Sequence, residues 1–107
     1  MADEQILDPM AARQLRGLIL TLVYVNHRRQ GARLTSTVIR GTLQREGYQF
    51  SRNDVLAMLQ DLADRQYIRY SSMRDGDDRM FIFAIEITAR GRDLVDALIS
   101  DPAVQTK

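Results

Sequence analysis

Apolar residues recur at spacings of three and four early in the chain, where Leu15, Leu18, Ile19, Leu22 and Val23 mark one buried helical stripe. Asp8-Pro9 opens that helix, with a side-chain acceptor at N-cap and proline at the first helical position. Leu20, Tyr24 and Val25 fall outside the stripe, so helix 1 is apolar over more than one face and is expected to be buried on two sides. In so short a chain the second side is expected to be another subunit, and the closing helix joins that interface through Leu94 and Leu98. Asn26 to Gly31 reads as the helix end and a turn, with Gly31 available for a positive φ.

Helix 2 is predicted to start at Thr35 or Ser36 and to stop at Gly47, with Val38, Ile39 and Leu43 as its apolar side. Gly41 lies inside it at a cost of about 1 kcal/mol relative to alanine, the usual sign that another backbone comes close. After the link Tyr48-Gln49-Phe50, a capping box Ser51-Arg52-Asn53-Asp54 opens helix 3, residues 51–66, whose inward residues are Val55, Leu59 and Leu62. Two short helices joined by a tight link read as a helix-turn-helix.

The period then changes. Tyr67 to Met73 is rich in aromatic, β-branched and hydroxyl residues, and Met80 to Ile87 is a second strand, with an Asp-Gly turn between them. Strict alternation places Phe81, Phe83, Ile85 and Ile87 on one face and Ile82, Ala84 and Glu86 on the other. Thr88 caps a last helix carrying Leu94, Val95, Leu98 and Ile99, which Asp101-Pro102 ends. The organisation expected is an acidic segment 1–8, one domain over 9–100 and a disordered tail over 101–107.

The order helix, helix, helix, strand, turn, strand, helix is that of a winged helix-turn-helix, an α+β and mainly α fold with a two-stranded wing and a C-terminal helix. SRNDVLAMLQDLADRQYIRY resembles the third helix and first wing strand of bacterial winged-helix regulators. ITARGRDLVDAL is similar to the start of the closing helix in the MarR-like and PadR-like groups, where a Thr-x-x-Gly step follows the second wing strand. The resemblance spans roughly residues 10 to 100, and it implies a dimeric transcriptional regulator that binds double-stranded DNA. Helix 3 would then enter the major groove and read bases with Arg52, Asn53 and Gln60. Ser36, Thr37 and Arg40 would hold phosphates from helix 2, and Arg74 and Arg79 from the wing.

Charge qualifies this picture. Of the 107 residues, those from Pro9 to Arg45 include seven arginines and no acid, whereas from Glu46 onward eleven acids face seven arginines and Lys107. That asymmetry fits a basic face toward phosphate, or arginines paired with the acidic second half of the same molecule. Helix 3 carries Asp54, Asp61 and Asp64 against two arginines, and the turn carries Asp75, Asp77 and Asp78 against two more. Both elements are net acidic where phosphate would be met, which weakens DNA attraction. The alternative is a protein-interaction module on the same fold, an antirepressor or phage-type inhibitor that binds no DNA. Tyr48, Phe50, Tyr67 and Tyr70 would then be contact residues, unless they are core.

Catalytic chemistry finds little support. The chain has one histidine and no cysteine, so disulfides and thiolate metal sites are excluded, and no cofactor or metal is expected. His27, near a helix C-terminus, reads as a cap of the dipole rather than a ligand or base. The turn Asp75-Gly76-Asp77-Asp78 lacks the downstream glutamate of a calcium loop, and the glycines match no nucleotide fingerprint. No apolar run is long enough for a membrane span, and the N-terminus lacks a secretory pattern, so cytoplasm is the default reading.

Overall fold

Asp8 accepts a hydrogen bond from the Met10 N–H at 3.2 Å and Pro9 takes the first helical position, so α1 (Pro9–Arg28) begins where its capping residues dictate. The computed structural model describes residues 7–77 and 79–106; the start of the acidic segment, with Asp3 and Glu4, lies outside them, as does Asp78. Within the described residues the chain is α+β and about half helical. Helices α2 (Ser36–Arg45), α3 (Arg52–Asp64) and α4 (Ala89–Val95) join α1 around an antiparallel pair, β1 (Ile68–Arg74) and β2 (Met80–Ile87). No helix among these residues is long and apolar enough to cross a membrane.

The helix starts follow the sequence closely. Thr35 caps α2 by accepting from the Val38 N–H, and Ser51 and Asp54 form a reciprocal capping box on α3. The helix ends follow a rule that glycine content does not announce. Each helix closes in a Schellman turn whose left-handed residue is Gln30, Gly47, Gln66 or Ala97 in chain order. Gly31 is therefore not the positive-φ residue of the first turn; Gln30 is, at φ 54. The last turn comes early, because the Leu98 N–H reaches back to Asp93 and ends α4 at Val95. Leu98 is thereby carried out of the closing helix and left 72% exposed.

The hairpin corrects the predicted facing of β2. Arg69 pairs with Glu86 and Ser71 with Phe83, so one residue of β1 stands opposite Ala84 and Ile85. This bulge puts Ala84 at φ 54 and reverses the alternation beyond it. Ile82, Ile85 and Ile87 all point into the core, while Phe81 and Phe83 stack half-buried on the outer face, ring centroids 5.8 Å apart. Ile85 also pairs with Leu34, whose carbonyl accepts from its N–H at 3.1 Å, so the stretch before α2 lies along the outer edge of β2.

The core gathers Leu15, Ile19, Ile39, Leu59, Leu62 and Tyr67 with the three β2 isoleucines. Val38 is not on the inner side of α2 as expected; it is 49% exposed. Leu20 and Leu94, predicted to face a second subunit, are core residues of this one, at 0% and 1% exposure. The C-terminal segment lies along the face of α1 that carries Arg13, Arg16 and Gly17. Val104 is buried, Arg13 donates to the Pro102 carbonyl at 2.9 Å, Arg16 to the Ala103 carbonyl at 3.0 Å, and the Gln105 N–H returns to the Arg13 carbonyl. Gly17 allows this seating, because a Cβ there would collide with the Gln105 carbonyl. The Thr-x-x-Gly step has the same logic: Thr88 Oγ1 accepts from the Gly91 N–H, and Gly91 lets α4 lie on the Tyr67 carbonyl. No backbone comes near Gly41, contrary to expectation.

An ionic chain locks these parts. Asp61 of α3 accepts from Arg16 of α1 and from Arg65 at 2.7 Å; Arg65 also reaches Asp101 at 3.2 Å, and Asp101 accepts from the Tyr67 hydroxyl at 2.7 Å. Burial would raise the Asp61 carboxyl, but hydrogen bonds from Arg65 and Arg16 outweigh it and hold its pKa below the ordinary value. Burial likewise opposes ionisation of Asp101, and the Ala103 N–H, Tyr67 and Arg65 overcome it.

Two outcomes follow from this packing. Both carboxyls are depressed in the folded state, so their contribution is complete above the unfolded pKa of about 3.9 and is lost as pH falls through their lower folded values. Melting curves should thus be insensitive to Asp61 and Asp101 protonation from pH 7 to about 5 and lose stability below about 4, and Asp61→Asn should flatten that acid limb. Equal acid limbs in both proteins would contradict it. Secondly, Gly17→Ala, which on helix propensity alone should stabilise by about 1 kcal/mol, should instead destabilise by about 1–3 kcal/mol by displacing the tail. Chemical denaturation reads the sign.

Candidate nucleic-acid interface

Residues predicted to meet DNA converge on two adjoining concavities that share Arg52. The larger, about 690 Å³ and open, lies between the first turns of α3 and the hairpin, with Asn53, Ala57, Gln60, Arg74 and Arg79 around it. The smaller, about 170 Å³, lies between α2 and α3 and is bordered by Thr37, Arg40, Gly41 and Gln44. Tight helix capping aims these side chains: the Ser51 box fixes the start of α3, and Thr35 fixes that of α2.

The structure divides the predicted residues into two sets. Asn53, Thr37, Arg74 and Arg79 are exposed on the rims. Arg52 and Gln60, expected to point outward, are half-buried and turned toward the start of β2, beside the hairpin turn. Arg52 donates to the Met80 carbonyl, and Gln60 Nε2 lies 3.1 Å from the Met80 sulfur. Arg40 is also half-buried, its Nε reaching the Phe50 carbonyl at 3.3 Å and fastening α2 to the link before α3. Ser36, at 6% exposure, lies deeper than its neighbours and lines the smaller concavity. Gln44 and Gly41 are not among the residues that the sequence assigns to a DNA contact; only the position of α2 against α3 brings them to the groove.

The acids of α3 are less available than their number implied. Asp54 accepts from the Ser51 N–H at 3.0 Å within the capping box. Asp61 points toward α1 and lies between Arg16 and Arg65. Asp64 remains exposed, in the last turn and away from the groove's opening residues. In the hairpin turn, Asp75 Oδ1 accepts from the N–H groups of Asp77 and Arg79 at 2.9 and 3.0 Å. Those backbone hydrogen bonds, Arg79 first, hold its carboxyl below the ordinary value, so it stays ionised while it shapes the turn.

The aromatics named as alternative contacts separate in the same way. Tyr67 is a core residue at 1% exposure, with its phenol pushed up by burial and by the bond to Asp101. Tyr48 and Phe50 stack on each other, half-buried, with centroids 6.2 Å apart, and Tyr70 is half-buried. The predicted self-association face is not assembled: Leu20 and Leu94 are inside, and Tyr24 donates to Asp96 at 2.9 Å. Only Val25 and Leu98 remain exposed, on separate elements. His27 is exposed in the last turn of α1, where a basic side chain suits the helix dipole.

No protein-family model matches the chain, and neither the curated proteins nor the solved structures contain a detectable match to it.

Proposed function

We propose that the chain is a winged-helix DNA-binding protein, presenting α3 to the major groove and the β1–β2 turn, as a wing, to the flanking phosphates. One observation supports the reading: two of the three acids on α3 are engaged within the protein, Asp54 in the capping box and Asp61 with Arg16 and Arg65, while Thr37, Arg40, Arg52, Asn53, Arg74 and Arg79 border two adjoining concavities that share Arg52. A helix that is net acidic by sequence thus offers a mostly uncharged, polar leading turn flanked by guanidinium groups. That is the arrangement a phosphate-lined groove requires. A role in transcription regulation rests on the likeness of residues 51–70 and 87–98 to winged-helix regulators.

The roles within the site also shift. With Arg52 fastened to the Met80 carbonyl, Asn53 becomes the principal base reader, since its amide can pair with an adenine edge. Arg52 sets the angle between α3 and the wing and offers its remaining N–H groups to the backbone. A protein-interaction reading draws on a different surface: the Phe81–Phe83 stack beside Met73, which pairs with Phe81 and is 55% exposed.

Fluorescence anisotropy with a labelled mixed-sequence duplex separates the two. If Arg40, Arg52, Arg74 and Arg79 each neutralise one phosphate, affinity should fall about a hundredfold between about 50 and 200 mM salt. Arg79→Ala should lower the logarithmic salt slope by about one. No binding at the lower salt would overturn the DNA reading and favour the aromatic face. On a selected target, Asn53→Ala should cost about 1–3 kcal/mol and relax specificity at one position. Arg52→Ala should instead speed amide exchange across the hairpin in the free protein, an effect that Asn53→Ala should not share.

A further inference from the structure

A second basic concavity, of about 370 Å³, lies at the opposite end of the hairpin, where the last turn of α1 meets the root of β1–β2 and α4. Arg69 in its wall is five residues along β1 from Arg74 at the turn, about 17 Å of extended strand, so this site is separate from the DNA groove. Three guanidinium groups, from Arg33, Arg69 and Arg92, line it together with a single carboxylate, Glu86.

Glu86 is shared. Its Oε2 lies 3.0 Å from Arg33 Nε and its Oε1 lies 3.6 Å from Arg69 Nε, so one carboxylate faces two guanidinium groups. Arg92, half-buried on α4, has no carboxylate within ion-pair distance among the described residues. The carbonyl end of α1 does little to neutralise the site. Its last acceptors are occupied by the Arg29, Gln30 and Gly31 N–H groups, and Asn26 is engaged with the Ala32 carbonyl. A net charge of about +2 is therefore held in one recess whose floor is formed by Val23, Ile85 and Ile87.

We propose that this recess binds a small molecule through a phosphoryl group, held by Arg92 together with Arg33 and Arg69, which share the single carboxylate of Glu86. Planar guanidinium forks from three directions match the tetrahedral oxygens of phosphate better than one carboxylate. The recess lies within the size range of small-molecule sites, so a phosphate monoester, whose organic part rests on the apolar floor, fits it better than free phosphate.

The test is a titration of the free protein with inorganic phosphate and, separately, with adenosine monophosphate at constant ionic strength, followed by amide shifts in two-dimensional NMR. Saturable shifts confined to residues around Arg33, Arg69, Glu86 and Arg92 are expected, with the ester binding more tightly. Arg92→Gln should weaken binding about tenfold by removing one charge-assisted contact, while Arg45→Gln on α2 should leave it unchanged. Glu86→Gln should tighten it several-fold, because the competing carboxylate is gone; a purely structural Glu86 would not produce that sign. Shifts that do not saturate, that spread equally to Arg45 and Arg52, or that survive Arg92→Gln at full affinity would overturn the proposal. The outcome does not depend on whether the chain binds DNA.

Discussion

Asp61 places one carboxylate between the guanidinium groups of Arg16 and Arg65, and Arg65 carries the contact on to Asp101, which accepts in turn from Tyr67. Four segments of the chain meet in that relay: α1, α3, the turn into β1 and the C-terminal segment. Such partly buried ion pairs add little net stability, since desolvation offsets much of the attraction. What they supply is position. A charge left without its partner is costly at this depth, so α3 and the C-terminal segment can adopt few alternative seats on α1. The same relay turns the acid of α3 inward, and the outward face of the helix is less negative as a result.

The hairpin is positioned by a different constraint. Strict alternation along MFIFAIEI would bury two phenylalanines and two isoleucines and leave Ile82 outside. The bulge at Ala84 instead brings Ile82, Ile85 and Ile87 to the core. An alanine in the left-handed region costs about 1–2 kcal/mol. Against strict alternation the bulge gains the burial of Ile82, about 1.5–3 kcal/mol, while Phe81 and Phe83 remain half-buried in their own stack. That register also sets where the Met80 carbonyl and side chain stand, and so where Arg52 and Gln60 are drawn.

On the proposed reading, packing and recognition are coupled in the groove. Side chains that look like free readers in the sequence serve first as fasteners between elements: Arg52 to β2 and Arg40 to the link before α3. A guanidinium group can do both, because it carries five N–H donors in a fixed fork and one bond leaves others available. Fastened arginines also lose less side-chain entropy on meeting a phosphate than mobile ones. The groove is in this sense prepared by the fold.

Local chemistry made much of this structure legible from the sequence. Asp8-Pro9, Thr35, the Ser51–Asp54 box and Thr88 mark the starts of all four helices, because a cap needs only residues within one turn. The order of elements and the hairpin are readable for the same reason. What escaped the sequence depended on distant partners. Leu20 and Leu94 looked like a dimer face until both were found in the core of the one chain. The pairing of Asp61 with Arg16, forty-five positions earlier, is likewise invisible locally. The facing of β2 was misjudged because a bulge is selected by which residues the core can bury. Period alone does not reveal it, and only the tertiary structure could decide it.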